Sequence, residues 1–188
     1  QINGADGGLF KAVTGAAPGT YSDNGGAYCG TQFIPTGGDG SATWVRDNAH
    51  IVNTTWFGAS ATATAAINST AINNAIAIGR PVYTPEGNYS VSSTLAVGTR
   101  QEFYGAGKYA TIFTQSAVNT PATVVSVDDG EYQHLHDFTV FIGLASVGDV
   151  TQRGISVKRS RRYTIERVCI ENSGPSAANY GGVGILVA

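Results

Sequence analysis

The chain has 188 residues, with 11 basic against 13 acidic side chains, and 13% of its residues are charged. This length is that of one domain. The small acidic excess argues against nucleic-acid binding, because neutralising phosphates requires a basic excess. The scarcity of Glu and Lys excludes coiled coils and helical bundles. A hydrophobic content of 42%, with 10% aromatic residues, argues against intrinsic disorder.

No apolar run approaches the ~18 residues of a membrane span, and no signal peptide pattern opens the sequence. Two cysteines, Cys29 and Cys169, are too few for a disulfide framework or a cysteine zinc site, so we expect two free, half-buried thiols. The chain starts at Gln1 without Met and ends in an apolar run, which predicts a piece of a longer protein.

Residues 1–55 are rich in glycine turns that separate short apolar runs at 9–13, 27–34 and 43–45. Turns between such runs predict a small antiparallel β meander, which would form an N-terminal neck region. This region is too small to build a large core, so we expect it to pack on another part of the protein.

Residues 56–81 are predicted to form a linker and a capping helix. Within them, residues 61–78 carry the one good helical pattern, with Thr62 or Thr64 as the N-cap and Gly79 and Pro81 at the end. The predicted polar face holds Asn68, Ser69, Asn73 and Asn74. The opposite, apolar stripe is Ala65, Ala66, Ile67, Ala71, Ile72, Ala75 and Ile76.

A repeat of 30 residues appears after a series of short strand patterns that begins at Val82. Val125-Ser126-Val127 recurs as Ile155-Ser156-Val157 and again as Ile185-Leu186-Val187. Repeats of roughly 20–50 residues indicate stacked units, and a unit of three short strands without a helix favours a parallel β-helix. We therefore predict an all-β fold, with residues 82–188 as its first coils. The predicted inward positions are Val125, Val127, Leu135, Phe138, Val140, Ile155, Val157, Ile165, Val168, Ile170, Ile185 and Val187.

The charged residues support this register independently, because the register follows from apolar residues alone. Stacked coils place residue i beside residue i+30 at the usual strand spacing of ~4.8 Å, where opposite charges stabilise. The register predicts a charge ladder of five pairs: Asp128 with Lys158, Asp129 with Arg159, Glu131 with Arg161, His136 with Glu166, and Asp137 with Arg167.

This ladder competes with two functional interpretations of the same residues. Its acidic members Asp128, Asp129, Glu131, Asp137 and Glu166 could supply the two carboxylates of a glycoside hydrolase. Six of the 11 basic residues lie between 153 and 167 and could bind an acidic glycan, but the ladder leaves only Arg153 and Arg162 without a partner. For both groups the structural interpretation is favoured.

Two further motifs have weak functional signals. His134 and His136 share one face of a strand and form a feasible partial metal site, but no third ligand is evident, since His50 lies far away in the sequence. Gly105-Ala106-Gly107-Lys108 is similar to a phosphate loop fragment but lacks its first glycine, the hydroxyl after Lys and the following helix. We expect a simple turn there, and no metal or cofactor site in this stretch.

Three segments, taken in order, carry a resemblance to a known family. The first is Asp6-Gly7-Gly8-Leu9-Phe10 with Asp23-Asn24-Gly25-Gly26, Gly38-Asp39-Gly40-Ser41 and Trp44-Val45-Arg46; the second is Trp56-Phe57-Gly58-Ala59; the third is Val82-Tyr83-Thr84-Pro85-Glu86-Gly87-Asn88-Tyr89 with Ser93-Thr94-Leu95 and Tyr104-Gly105-Ala106-Gly107. Together they resemble the N-terminal part of bacteriophage tailspike proteins with a pectate-lyase-like right-handed, single-stranded parallel β-helix. The third segment is shared with polysaccharide-degrading enzymes, whereas the first points to tailspikes.

The resemblance implies a homotrimer on a phage tail, attached to tail or baseplate proteins on its N-terminal side. It implies binding and depolymerisation of a bacterial surface polysaccharide, a capsule or an O-antigen, with catalytic carboxylates on later coils. No catalytic residue is therefore expected in this stretch. Two alternatives stay open: a secreted bacterial polysaccharide lyase or hydrolase, and a glycan-binding tail fibre or adhesin without catalytic activity.

Overall fold

The computed structural model describes residues 10–14, 32–33, 42–46, 50–117, 121–142, 152–171 and 182–188. Three strands form an antiparallel sheet: β1 (Phe10–Thr14), β2 (Gln32–Phe33) and β3 (Ala42–Arg46). β3 lies between the other two, so the predicted consecutive order of a meander is wrong for these strands. A two-residue strand cannot satisfy the hydrogen bonds of a five-residue neighbour, whereas β1 and β3 pair along their full length.

β4 (Val52–Asn53) leads into a short 3-10 helix (Thr54–Phe57) and then into α1 (Ala65–Ala77). Thr64 is the N-cap of α1, and its hydroxyl accepts a hydrogen bond from the Ile67 backbone N–H at 3.4 Å. After the helix, Gly79 adopts a left-handed φ of 74°, which glycine tolerates without steric cost. The predicted helix and both of its end signals are confirmed.

The polar face predicted for α1 is wrong at two positions. Asn68 and Ser69 are buried, whereas Ile67 of the predicted apolar stripe is 39% exposed. The buried polar side chains are held by backbone groups: Asn68 Oδ1 accepts the Ser60 N–H at 2.9 Å, and Ser69 Oγ accepts two further N–H groups. These bonds offset the cost of burial and dock the helix onto the first coils.

The rest of the described chain consists of short strands that pair in parallel. They are β5 (Val82–Thr84), β6 (Gly87–Val91), β7 (Leu95–Ala96), β8 (Glu102–Gly105), β9 (Thr111–Gln115), β10 (Thr123–Asp128), β11 (His134–Phe141), β12 (Gln152–Lys158), β13 (Thr164–Glu171) and β14 (Gly182–Val187). The short strand patterns predicted from Val82 onward, at 82–84, 89–91, 94–97, 101–104 and 111–114, all correspond to strands. Parallel pairing begins with β4, which pairs with β5, and so reaches further toward the N-terminus than Val82.

These strands stack as the coils of a parallel β-helix with three faces. One face contains β7, β10, β12 and β14. β11 and β13 each contribute their first half to the second face and their second half to the third. The first half of β11 pairs with β8, and its second half pairs with β9. The predicted 30-residue register is confirmed, since Val125 pairs with Ile155, Ile155 with Ile185, and Leu135 with Ile165.

The interior of the coils is apolar and stacked. Phe103, Phe113 and Phe138 form a buried aromatic cluster with ring centroids 5.4–5.7 Å apart. The predicted inward residues from Val125 to Val157 are fully buried, and those of β13 are partly buried. Ile185 and Val187 are 45% and 61% exposed, because β14 has a described strand neighbour on one side only. Within the described residues, no helix is long and apolar enough to cross a membrane.

Candidate functional site

The face built by β5, β8 and the first halves of β11 and β13 presents two columns of polar side chains. We call it the outer face. The first column contains Glu102, His134 and Thr164, which are paired across adjacent strands. The second column contains Tyr83, Tyr104, His136 and Glu166, in register from coil to coil. Each column arises because alternate residues of a strand point to the same side of the sheet.

Aromatic rings contact one another along the second column. The ring centroids of Tyr83 and Tyr104 are 5.3 Å apart, and those of Tyr104 and His136 are 4.9 Å apart with nearly parallel planes. Burial raises the pKa of the Tyr104 hydroxyl, and the neighbouring Glu102 carboxylate raises it further. The phenol therefore stays protonated at neutral pH and can donate a hydrogen bond.

Glu102 lies between the two histidines. Its Oε1 atom is 3.0 Å from His136 Nε2 and 3.5 Å from His134 Nδ1. The sequence pattern contained no evident third ligand beside the histidine pair, and the structure supplies one in Glu102. Glu102 was missed because it is paired with His134 at an offset of 32 residues, whereas the repeat that guided the prediction has a period of 30.

The outward nitrogen of each imidazole contacts a second carboxylate. His136 Nδ1 lies 2.6 Å from Asp137 Oδ2, and His134 Nε2 lies 3.2 Å from Glu166 Oε1. The backbone register of His136 beside Glu166 is as predicted, but the His136 ring contacts Glu102 and Asp137 instead. Each histidine therefore bridges two acidic side chains.

Arg167 joins these two carboxylates. Its Nε and Nη2 atoms donate to Asp137 at 2.7 and 2.9 Å, which confirms the predicted pair, and its Nη1 atom lies 2.9 Å from Glu166. Arg167, together with His136, lowers the pKa of Asp137. Hydrogen bonds from His134 and then Arg167 lower the pKa of Glu166. Both acids stay ionised, which suits neither to the general-acid role of a glycoside hydrolase.

Other members of the predicted charge ladder lie at the corner between β10 and β11 and at the matching corner of the next coil. Arg159 forms an ion pair with Asp129, and the backbone of Asp128 is in register with Lys158. Glu131 and Arg161 are bridged through their backbones. Arg162, predicted to have no acidic partner, donates to the Tyr132 hydroxyl instead.

The remaining sequence motifs bring no chemistry to the outer face. Gly105 is the last residue of β8, and Ala106, Gly107 and Lys108 lie in the turn before β9, as predicted for this motif. Cys169 is a free, half-buried thiol that donates to the Tyr109 hydroxyl at 3.6 Å, which confirms one of the two thiol predictions. Cys29 and the glycine motifs at 6–8, 23–26 and 37–40 lie outside the described residues.

A cleft of about 600 Å³ opens beside the capping helix, and no residue of the two columns of the outer face lines it. Its walls come from the segment before α1 and from the turn between β5 and β6. Glu86 is the one charged side chain in its lining, which otherwise consists of hydroxyl, aromatic and small apolar residues. Within the described residues, the ionisable groups therefore concentrate on the outer face and at the corners of the coils, and not in this cleft.

No family model and no curated protein matches the sequence. Among solved structures, the chain is similar to the ORF18 protein of Geobacillus virus E2, with 16% identity and a TM-score of 0.42 over 69% of this chain and 44% of that one. It is also similar to the A-modules of two mannuronan C-5 epimerases from Azotobacter vinelandii. AlgE4 matches with 19% identity and a TM-score of 0.41 over 72% of this chain and 50% of that one. AlgE6 matches with 18% identity and a TM-score of 0.37 over 68% and 44%.

The chain spans half or less of the length of each of these structures.

Proposed function

We propose that this chain is the N-terminal part of a phage tailspike whose β-helix binds a bacterial surface polysaccharide, a capsule or an O-antigen. The observation that carries the proposal is the outer face, where two columns of tyrosine, histidine and carboxylate side chains follow the stack of coils. A solenoid presents such columns as an extended surface, and an extended polymer is the ligand that fits it.

The outer face offers groups suited to sugar hydroxyls. Carboxylates of Glu102 and Glu166 accept hydrogen bonds, and the Tyr104 phenol and the Arg167 guanidinium donate them. The side chains are partly exposed, so a ligand can reach them without rearrangement of the sheet. Because adjacent strands are ~4.8 Å apart, equivalent groups recur at a short, regular interval along the coils.

The proposal includes a right-handed β-helix, because parallel crossover connections are almost always right-handed. It also includes a homotrimer, attachment to phage tail or baseplate proteins through the N-terminal side, and a location on the virion. Depolymerisation belongs to the whole protein, with its catalytic carboxylates on later coils, since Asp137 and Glu166 are held ionised by ion pairs here.

Binding can be measured directly with a panel of purified bacterial capsules and O-antigens, by microscale thermophoresis on the 188-residue chain. We expect one glycan class to bind, and Tyr83→Ala to weaken that binding. Tyr132→Ala is the matched control, because Tyr132 is 46% exposed but precedes β11 and belongs to neither column of the outer face. Equal binding by both variants would exclude the outer face as the glycan site.

A second experiment distinguishes a tailspike depolymerase from an adhesin and from a secreted lyase or hydrolase. Release of reducing ends and of unsaturated sugars is followed for this chain and for its longer parent protein on every glycan that binds. Cleavage by the parent alone supports a shaft that precedes the active site. A bound glycan that neither protein cuts favours an adhesin, and a monomeric parent in sedimentation favours a secreted lyase or hydrolase.

A further inference from the structure

We propose that Glu102, His134 and His136 bind a divalent transition-metal ion, with Zn²⁺ as the expected species. Each residue offers one ligand atom, and the three atoms lie within 4.8 Å of one another. They come from two adjacent strands whose register places Glu102 directly beside His134. The proposal rests on these side chains alone and is independent of glycan binding.

The hydrogen bonds around the imidazoles leave a set of acceptors that face one another. When neutral His136 donates its Nδ1 proton to Asp137, the Nε2 lone pair faces the Glu102 oxygen, 3.0 Å away. When neutral His134 donates its Nε2 proton to Glu166, the Nδ1 lone pair faces the same oxygen at 3.5 Å. Three acceptor atoms that converge in this way repel one another unless a proton or a metal cation lies among them, and their arrangement is that of a ligand set.

The surroundings match those of metal-bound histidines. Such histidines almost always donate their second ring N–H to a carboxylate or a carbonyl, which sets the tautomer and strengthens the ligand. Here both histidines have a carboxylate in that position, and Arg167 fixes both carboxylates through its guanidinium group. The two imidazoles are therefore oriented before any ion binds.

Distances and ligand chemistry favour zinc among common metals. Zinc bonds to imidazole nitrogen and carboxylate oxygen are roughly 2.0–2.2 Å long, so ligand atoms around a tetrahedral ion lie about 3.3–3.5 Å apart. The two separations from the Glu102 oxygen, 3.0 and 3.5 Å, are close to these values, and the two imidazole nitrogens lie within 4.8 Å of each other. Two imidazoles with one carboxylate suit zinc and its neighbours, whereas calcium and magnesium prefer oxygen ligands.

The charge balance of the cluster also favours a divalent cation. With neutral imidazoles, the carboxylates of Glu102, Asp137 and Glu166 exceed the single charge of Arg167 by two negative charges. A divalent cation cancels this excess. Three protein ligands also leave one coordination position open on a partly exposed face, as in zinc sites that bind water or a substrate oxygen.

The test is metal binding by the untagged 188-residue chain after removal of metal with a chelator. Co²⁺ serves as the spectroscopic probe, and its visible absorption reports coordination by nitrogen and oxygen ligands; Zn²⁺ is then added to displace it. We expect one Co²⁺ per chain and complete displacement by Zn²⁺. A chain that binds no Co²⁺ at neutral pH would show that protons alone occupy the cluster and would overturn the proposal.

Variants assign the site. His134→Gln, His136→Gln and Glu102→Gln are expected to abolish the Co²⁺ spectrum, and Asp137→Asn, which acts through His136, to weaken binding about tenfold. His50→Gln is the matched control, because His50 is exposed and precedes β4, outside the cluster. Circular dichroism of each metal-free variant separates loss of a ligand from loss of fold, and His134, 35% exposed against 11% for His136, is the histidine whose substitution disturbs packing less. Equal loss in His50→Gln, or an unchanged spectrum in folded His134→Gln, would overturn the assignment.

Discussion

Asp137 and Arg167 lie at the same corner of two successive coils, where both residues have a left-handed backbone conformation. Their side chains form a bidentate ion pair. Their φ angles are 58° and 49°, in a region that few residues other than glycine adopt. This corner turns β11 and β13 from one face of the β-helix onto the next. The same arrangement recurs for Asp129 with Arg159, and there too an ion pair joins two left-handed residues. Two of the five predicted pairs of the charge ladder therefore lie at left-handed corners of the coils.

The first prediction concerns the coupling of this pair. Asp137→Lys places two like charges side by side and is expected to destabilise the chain, and adding Arg167→Glu should restore part of the loss because it reverses the pair. Urea unfolding of the wild type, both single variants and the double variant measures the effect. The backbone strain of each substituted corner is present in the single and the double variants alike, so it cancels from the coupling. Strict additivity of the two changes would mean that the pair contributes nothing to the register.

Most of the β-helix could be predicted because a solenoid repeats its own pattern. Stacked coils place equivalent residues in contact, so a match such as Val125 with Ile155 reports a neighbour in space. The charges of Asp137 and Arg167 gave a second, independent signal at the same spacing. Local signals also sufficed for α1, whose N-cap Thr64 and terminal Gly79 are readable from the sequence.

The prediction failed where spacing or burial departs from the simple pattern. Glu102 reaches His134 at an offset of 32 residues, and an irregular coil of this kind leaves no trace in a 30-residue repeat. Asn68 and Ser69 are polar residues on a helix and were therefore placed toward solvent. Their burial depends on backbone N–H groups of Ser60, Ser92 and Ser93, which only the tertiary fold brings near.

The second prediction is an acid-sensitive stability that depends on Asp137. The pKa of Asp137 is lower in the folded chain than the ordinary value of ~3.9, so its ionisation stabilises the fold at neutral pH. As the pH falls below about 4, the unfolded chain takes up the proton first and this contribution is lost. Thermal unfolding at pH 7 and pH 3 should show a smaller loss of Tm for Asp137→Asn than for the wild type.

Arg167→Gln should reduce the acid sensitivity in the same way, because the guanidinium of Arg167 is the main cause of the low pKa of Asp137. For the Asp137→Asn variant, asparagine is suitable because it keeps the shape of aspartate and tolerates the left-handed backbone at this position. If both variants lose as much Tm as the wild type between the two pH values, the folded-state pKa of Asp137 is not the source of acid sensitivity.

The third prediction tests the buried hydroxyl that docks α1. Ser69 Oγ accepts the N–H groups of Ser92 at 2.8 Å and Ser93 at 3.1 Å. Ser69→Ala removes this acceptor and leaves two partly buried donors without it, which is expected to cost about 1–3 kcal/mol of unfolding free energy. Thr70→Ala, at an exposed position of the same helix, is the control and should change stability little. Chemical denaturation of the two variants compares them, and a Ser69→Ala chain as stable as the control would show that the helix docks through its apolar residues alone.

The fourth prediction uses two glycines at the same position of consecutive coils. A Cβ atom added at Gly154 would lie 2.7 Å from Ile170 Cγ2 and 2.9 Å from the backbone oxygen of Gly184. At Gly184 the nearest atom would be Ile170 Cδ1 at 3.9 Å, an ordinary contact. Gly154→Ala is therefore expected to destabilise by about 1–3 kcal/mol through overpacking. Gly184→Ala should be neutral or slightly stabilising, because alanine reduces the entropy of the unfolded chain. The two positions are equivalent in the 30-residue repeat, so each variant is the control for the other. Similar losses of unfolding free energy in both would mean that the coil around Gly154 is not packed as tightly as these distances require.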